Sequence, residues 1–376
     1  MILFLTQYYR GLGHSQRINH IVYETSKFLP CIVVNHLLAP PIDWHTDNVF
    51  TLEDDLVIDS PIQNIYKTIM TKDRVNNRVK KWIQILDDNP EIKIIVSEGF
   101  PFCRHQFAYE LIEFMKEAKK RNIMCICSIR DFPWDEPHSD GLMDWIAISQ
   151  NLVIKEYFSK IFIHGDPRYL PLLPDKLMFA NGKQLISNIS KYIFYTGYVC
   201  NPLQKPHRKR DGNIYISTGM NKEESSEMLK STFRLIDKYP NKTFTLIQGI
   251  INQDEPRIKN NKILVSYIPD LHKKLETCEL FITYGGYNST MEVLNSGCPA
   301  IIIPRMSGGK REQLIRVSML KKYNYFKAAI PASPGNIMKG INEILANTNF
   351  PNKCEMNLNG APNTARELKR IYSTIS

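Results

Sequence analysis

The chain is 376 residues long, 43% hydrophobic, and carries 48 Lys and Arg against 38 Asp and Glu, a formal net charge of +10. That length suits two domains with full cores, and neither a run of about 18 apolar residues nor a basic leader before the short apolar start is visible, so the expectation is a cytoplasmic protein without membrane span or signal peptide. The positive charge gathers at 116–121 (KEAKKR), 205–210 (KPHRKR) and 259–262 (KNNK), which fits an anionic small molecule, an anionic membrane surface, nucleic acid, or simply a solvated face.

In chain order, residues 2–6 read as a buried strand and 8–17 (YYRGLGHSQR) as a loop leading into a helix over about 16–28. Strand, Gly-x-Gly and helix open a dinucleotide fingerprint, but the third glycine is missing and no acidic residue ends a clear second strand about twenty residues on, which argues against a nicotinamide site. His14 follows Gly13 at the start of the helix, where it either caps the helix or faces whatever approaches the carboxyl end of the sheet. Strands follow at 31–34, 92–97, 123–129 and 160–164, with a loop rich in Pro, Asp and His at 39–47 and helices over about 62–87 and 106–121. The eight cysteines are scattered. The close pair Cys125 and Cys127 falls on one face of a strand, so reduced thiols and no structural metal are expected. Ligands of a doubly wound sheet bind outside the carboxyl ends of its strands, which makes His14, Glu98, Arg130, Asp131 and His164 candidates that converge on one crevice.

A strand at 193–196 precedes 200–213 (CNPLQKPHRKRDGN), whose prolines, basic run and Asp-Gly mark a linker. The domain boundary therefore falls near residue 203, dividing the chain into 1–202 and 203–376. The second half opens with a strand at 213–217, the turn Thr218-Gly219, a helix from about 223, strands at 243–248 and 263–265, and a turn at 267–270. From 280 the chain reads LFITYGGYNSTMEVLNSGCPAIIIPRMSGGKREQL: a strand to 283, the turn Gly285-Gly286, a helix over about 289–296, a stop at Gly297, a strand at 300–303, and a helix carrying Glu312 and Gln313. A right-handed βαβ unit sets that turn over a helix N-terminus, where unpaired N–H groups and the helix dipole form an anion site. Gly285 and Gly286 permit close approach, and Asn288, Ser289 and Thr290 offer donors. Equally, the segment reads as a plain βα turn with Ser289 as N-cap. Glu292, one turn into the helix, is placed to accept both hydroxyls of a ribose, and Glu312 and Gln313 to read sugar hydroxyls. Residues 363–376 read as a last helix.

The order of small-residue turn, Glu292, Gly-x-Pro, strand, Pro and Glu312-Gln313 resembles the donor half of GT-B glycosyltransferases, in the branch that includes the MurG transferase of cell-wall synthesis. The strings YYRGLGHSQR, SEGFPFCRHQFAYEL, CSIRDF, FIHGDPRYLP, YTGYV and YIPDL, in this order, resemble a bacterial family described as predicted MurG-like glycosyltransferases, over about residues 1–330. The resemblance implies an α/β GT-B fold of two facing Rossmann-like α/β/α domains with the active-site cleft between them. The first domain would take the acceptor and the second a nucleotide sugar, with the last helix crossing back onto the first. It also implies a UDP-sugar donor, with Glu292 on the ribose, Glu312 and Gln313 on the sugar, and Tyr267 and Ile268 at the uracil. Two departures stand out. Glu-Gln replaces the family's usual Gln-Gln, which bears on the sugar, and the N-terminal Gly-rich loop is shortened to Gly-Leu-Gly-His, which bears on a lipid-diphosphate acceptor.

Glycosyl transfer needs fixed donors for the charge that builds on the leaving diphosphate. Gly285, Gly286, Asn288, Ser289 and the Thr218-Gly219 turn are expected to supply them without metal, with Arg305 or Lys310 as added charge. It also needs a base for the acceptor proton, and His14 is the first choice, with Glu98 and Asp131 in reserve. A nucleotide-sugar hydrolase or epimerase on the same fold and a non-enzymatic binder remain as alternatives. The acceptor is open among a small molecule, a lipid-linked precursor, a peptide and, ranked lower for want of interleaved aromatic and basic residues, a modified base in DNA.

Overall fold

The computed structural model describes residues 1–6, 13–36, 42–52, 72–103, 107–131, 140–170, 188–201, 210–218, 228, 238–247, 258–259, 262–265, 268, 270–305, 311–331, 333–346 and 350–375. Contacts divide the chain into two units, one made of 1–134, 138–199 and 359–376 and the other containing 200–358.

The first unit is a seven-stranded sheet in the order β3-β2-β1-β4-β5-β6-β7, parallel throughout. Its elements are β1 (Ile2–Leu5), α1 (Gly13–Ser26), β2 (Cys31–His36), β3 (Val49–Leu52), α2 (Lys72–Asp88), β4 (Ile94–Glu98), α3 (Ala108–Lys120), β5 (Met124–Arg130), α4 (Asp140–Tyr157), β6 (Phe158–His164) and β7 (Ile193–Tyr195). The strands are nearly continuous apolar runs because both faces are covered, and alternation sends their side chains to two separate cores. Leu3, Leu5, Ile32, Val34 and Ile95 pack with Trp82 of α2, Leu111 and Phe114 of α3 and Ile154 of α4. On the other face Ile2, Phe4, Val33, Ile94 and Val96 meet Ile18, Ile21 and Val22 of α1 and Leu368 and Ile371 of the C-terminal helix Gly360–Ile375. That helix starts against the 197–198 backbone so closely that a Cβ on Gly360 would lie 2.5 Å from the Gly197 oxygen. It therefore belongs to the first unit, whereas a cut at residue 203 assigns it to the second.

The second unit has its own seven-stranded sheet, β10-β11-β9-β8-β12-β13-β14, parallel except for the β10–β11 pair. Its elements are β8 (Asn213–Ser217), β9 (Thr243–Ile247), β10 (Ile258–Lys259), β11 (Lys262–Val265), α5 (Leu271–Leu275), β12 (Leu280–Tyr284), α6 (Tyr287–Ser296), β13 (Ala300–Ile303), α7 (Arg311–Leu320), β14 (Lys327–Ala328) and α8 (Pro334–Ala346). Ile214, Ile216, Leu280, Ile282, Ile301 and Ile303 pack against Ile337, Ile341 and Ile344 of α8. In each sheet the strand order reverses beside the unit's first strand, at β1/β4 and at β8/β12. Open α/β sheets take their ligands at such switch points, where the loops on either side diverge and leave a crevice.

Several boundaries differ from the sequence reading. β3 and α4 are additional elements. The first helix begins at Gly13 rather than 16, which makes His14 a first-turn residue, and α6 begins at Tyr287 with Gly286 as its N-cap, so Ser289 lies inside the helix. The loop 8–12, Gly219, the helix expected from 223, Tyr267 and Lys310 lie outside the described residues. No helix among the described residues is long and apolar enough to cross a membrane.

Candidate functional site

At the switch point of the first unit, the strands β4, β5 and β6 end side by side on Glu98, Ser128 with Arg130 and His164, because their parallel registers align these positions. The helix α1 starts above them, and its residues His14 and Arg17, three apart, share one face. Both reach Glu98. His14 Nδ1 lies 2.8 Å from Glu98 Oε1, and the Arg17 guanidinium donates to the same oxygen. Glu98 and Arg17 are fully buried while His14 is partly exposed. Burial by itself pushes a carboxyl's pKa up; the Arg17 charge and the His14 hydrogen bond outweigh it and hold Glu98 well below the usual carboxylate range.

An ionised Glu98 can only accept, which assigns the protons around it. His14 must carry hydrogen on Nδ1, so its Nε2 is the basic nitrogen, even though Arg17 Nη2 also approaches Nδ1 at 3.2 Å. On the other carboxylate oxygen, Ser128 Oγ donates to Glu98 Oε2 over 3.1 Å. Behind Ser128 sits His164, fully buried, with Nε2 2.8 Å from Ser128 Oγ and Nδ1 2.8 Å from Thr196 Oγ1. Burial, with the Arg17 charge adding to it, lowers the pKa of His164 to about 3, so this ring is neutral.

The five candidates of this unit thus separate into distinct positions. His14 is partly exposed, Glu98 is its buried partner, and His164 lies behind the carboxylate with no exposure of its own. Asp131 is buried one residue past β5, beside Gly165, and Arg130 is partly exposed. Arg17, Ser128 and Thr196 are the members that sequence reasoning misses. Arg17 carries a signal, since it falls in the apolar stripe of α1 with Ile18, Ile21 and Val22, where an arginine requires a buried anion.

In the second unit the turn after β12 carries Gly285 and Gly286. The N-cap residue of α6 is Gly286, which has no side chain with which to cap the helix, and the first-turn amide hydrogens of a helix point out from its N-terminus together with the dipole's positive end. A Cβ on Gly285 would lie 2.6 Å from Val317 Cγ2 and 3.6 Å from Gln313 Cβ, so α7 packs directly on the turn; a Cβ on Gly286 would meet nothing within 4 Å. Asn288 and Ser289 are partly exposed, and Thr290 is fully buried with no hydrogen-bond partner for its hydroxyl among the described residues. Glu292 keeps some solvent contact, yet the protein around its carboxyl raises its pKa to about 7.

The turn is held from behind by Arg316, which is fully buried and which sequence reasoning also misses. Its Nη1 donates to the Gly285 carbonyl over 2.9 Å and its Nη2 to Glu312 Oε2 over 3.2 Å. Glu312 and Arg316 are four apart on α7, a spacing that is readable in sequence. Gln313 Oε1 accepts the Arg305 amide over 3.1 Å, and Arg305 in turn donates to the Thr218 carbonyl and lies 4.3 Å above the Tyr284 ring. Thr218 is buried and its hydroxyl donates to the Ile247 carbonyl over 3.3 Å. Ile268 is partly buried. Among the described residues no group of three or more His, Cys, Asp or Glu is arranged to hold a metal ion.

Residues 218–368 match the Glycosyltransferase family 28 C-terminal domain. The chain is 51% identical over 39 residues to NDP-glycosyltransferase YjiC of Bacillus subtilis (strain 168), covering 10% of each protein. It is 24% identical over 187 residues to the Ecdysteroid UDP-glucosyltransferase of Autographa californica nuclear polyhedrosis virus, which is 45% of this chain and 31% of that protein. The chain thus spans between a tenth and a third of the length of these curated relatives. Among solved structures, the glycotransferase of kitacinnamycin superposes with a TM-score of 0.60 at 11% identity, over 100% of this chain and 98% of its own. MurG of Acinetobacter baumannii superposes with a TM-score of 0.52 at 12% identity, over 99% of both chains. The fold is GT-B. The likeness extends to MurG and to transferases of other kinds alike and does not single out the MurG branch.

Proposed function

We propose that the protein is a nucleotide-sugar-dependent glycosyltransferase with a UDP-sugar donor, working without metal and with inversion at the anomeric carbon. The observation that carries this reading is the N-terminus of α6 on the Gly285-Gly286 turn, with glycine at its N-cap and Glu292 on the next turn, inside the region that matches a glycosyltransferase domain. The diphosphate would lie against the first-turn amides, and the charge left on its β-phosphate as the sugar departs would meet the helix dipole rather than water. Glu292, with Asn288 and Ser289 at the same helix start, would hold the ribose and phosphates. Ile268 and Tyr267 would meet the uracil, and Glu312 and Gln313 the sugar. The viral relative's name supports uracil as the base.

His14 would take the acceptor proton on Nε2 as the nucleophile attacks, with Glu98 stabilising the imidazolium that results. A buried carboxylate paired with Arg17 is a poor base but a good orienting partner, so the roles of His14 and Glu98 divide between them. The acceptor is proposed to be a hydroxylated small molecule or lipid. Water is the competing nucleophile, since the same dyad would activate it, and hydrolysis is the second reading. Purified protein incubated with a panel of UDP-sugars alone, then with hydroxylated acceptors, separates the two. Transfer predicts slow UDP release that accelerates with acceptor, while rapid stoichiometric release without acceptor leaves hydrolysis, and no UDP binding at all removes both.

A further inference from the structure

We propose that Ser128 and His164 are positioning residues for the base, a buried proton chain that holds Glu98 through its second oxygen and so tunes His14. This rests on the reading of His14 as the base. Ser128 has a single hydroxyl hydrogen, and the ionised Glu98 claims it. His164 Nε2, 2.8 Å away, must then be the donor to Ser128 Oγ. A neutral imidazole has one N–H, so Nδ1 is left without hydrogen and faces Thr196 Oγ1 at 2.8 Å, whose hydroxyl also has the Gly197 carbonyl as an acceptor at 2.8 Å. Thr196 is fixed in turn, because its carbonyl accepts from Asn363 Nδ2 over 2.6 Å, on the C-terminal helix. On the carboxylate side the hydrogens therefore run one way, from His164 through Ser128 to Glu98, and every ring and hydroxyl on that path is fully buried.

A chain so directed has a chemical consequence. Each donor on Glu98 draws charge from the oxygens that face His14, so the chain weakens the carboxylate's pull on an imidazolium. The charged and titratable groups that face Glu98 are His14 and Arg17 from α1, Cys127 from β5 and His164 from β6. Among the described residues, Glu98 and Arg17 face His14. With Arg17 unchanged, removing the Ser128 donor makes Glu98 a stronger acceptor and His14 easier to protonate. A hydroxyl and ring serving only to fill space would not act in that direction.

The test follows the His14 ring by NMR across a pH series in ligand-free protein, wild type against Ser128→Ala, and in parallel the pH profile of UDP release from UDP-glucose. The expected result is that titration of His14 moves to higher pH in Ser128→Ala and, to a smaller extent, in His164→Phe. His164→Gln, which keeps an N–H toward Ser128, restores the wild-type position. Turnover should follow, falling at neutral pH and recovering on the alkaline side with KM for UDP-glucose unchanged, since a titration midpoint moved up by about one pH unit leaves roughly a tenth as much unprotonated base at any pH below it. An unmoved titration, or one displaced to lower pH, in folded Ser128→Ala overturns the proposal. A displaced NMR titration with no turnover of any UDP-sugar leaves the chain standing and removes the transferase reading instead.

Discussion

Two adjacent glycines should respond in opposite ways to the same added methyl. At Gly285 the new Cβ would lie 2.6 Å from Val317 Cγ2, well inside the separation that real side chains tolerate. Val317 is β-branched and fully buried on α7, so it cannot swing aside, and either the turn or the helix must move. Overpacking of this kind costs about 1–3 kcal/mol, and for a unit of this size about 2 kcal/mol lowers Tm by roughly 4–8 °C. UDP affinity should fall as well, because Gln313 and the Arg316 contact ride on the same helix. At Gly286 the Cβ meets nothing within 4 Å and φ is −62°, a value any residue adopts. Gly286→Ala should therefore leave Tm unchanged or slightly raised. It stands at the cap where a phosphate would approach the backbone, and losing one hydrogen bond to a charged ligand, about 1.5–3 kcal/mol, weakens UDP binding by roughly tenfold to a hundredfold. Thermal denaturation and UDP calorimetry on the two variants check both halves. The double variant Gly285→Ala with Val317→Ala should regain most of the lost stability. Equal losses of Tm in the two single variants, or no recovery in the double one, would refute the packing argument, and unchanged UDP affinity in Gly286→Ala would refute the phosphate site.

His14→Ala should lower turnover by about a hundredfold or more at nearly unchanged UDP affinity, as expected for a positioned general base; parallel losses in Tm and none in turnover per folded molecule would make it a cap. For Glu292, whose pKa is raised from 4.5 to about 7, UDP affinity should climb as pH rises through 7 and lose that step in Glu292→Gln. The folded state favours the protonated carboxyl, so the stability it contributes is full below 4.5 and lost as pH rises to 7, which urea titrations of both proteins read directly. His164 has the opposite sign: the unfolded ring takes a proton near 6.5 and the folded one not until about 3. Its contribution should therefore be present above 6.5 and disappear as pH falls toward 3, a slope absent from His164→Phe. Replacing Arg316 by Met strands Glu312 and the Gly285 carbonyl, and should cost about 3–5 kcal/mol by chemical denaturation, as breaking a buried ion pair does.

What the sequence by itself determined is the layered architecture and the place of the candidate sites along the chain. Runs such as IIVSE and AIII admit a strand covered on both faces and little else, and a helix after each such strand leaves a parallel sheet as the arrangement that buries them. Polar residues ending those strands, and glycines before a helix, were therefore legible as candidate ligand positions. The tertiary structure decided which of these residues work together and in what protonation state. His14 and Glu98 are 84 positions apart and meet because β1 and β4 are neighbours in the sheet, a pairing that no local pattern encodes. Burial then separated what residue type leaves alike: three similar candidates became a partly exposed histidine, an ionised carboxylate and a neutral ring behind it. Contact likewise separated Gly285 from Gly286, since only the position of Val317 on a later helix makes the first a packing requirement and the second an open approach to the backbone.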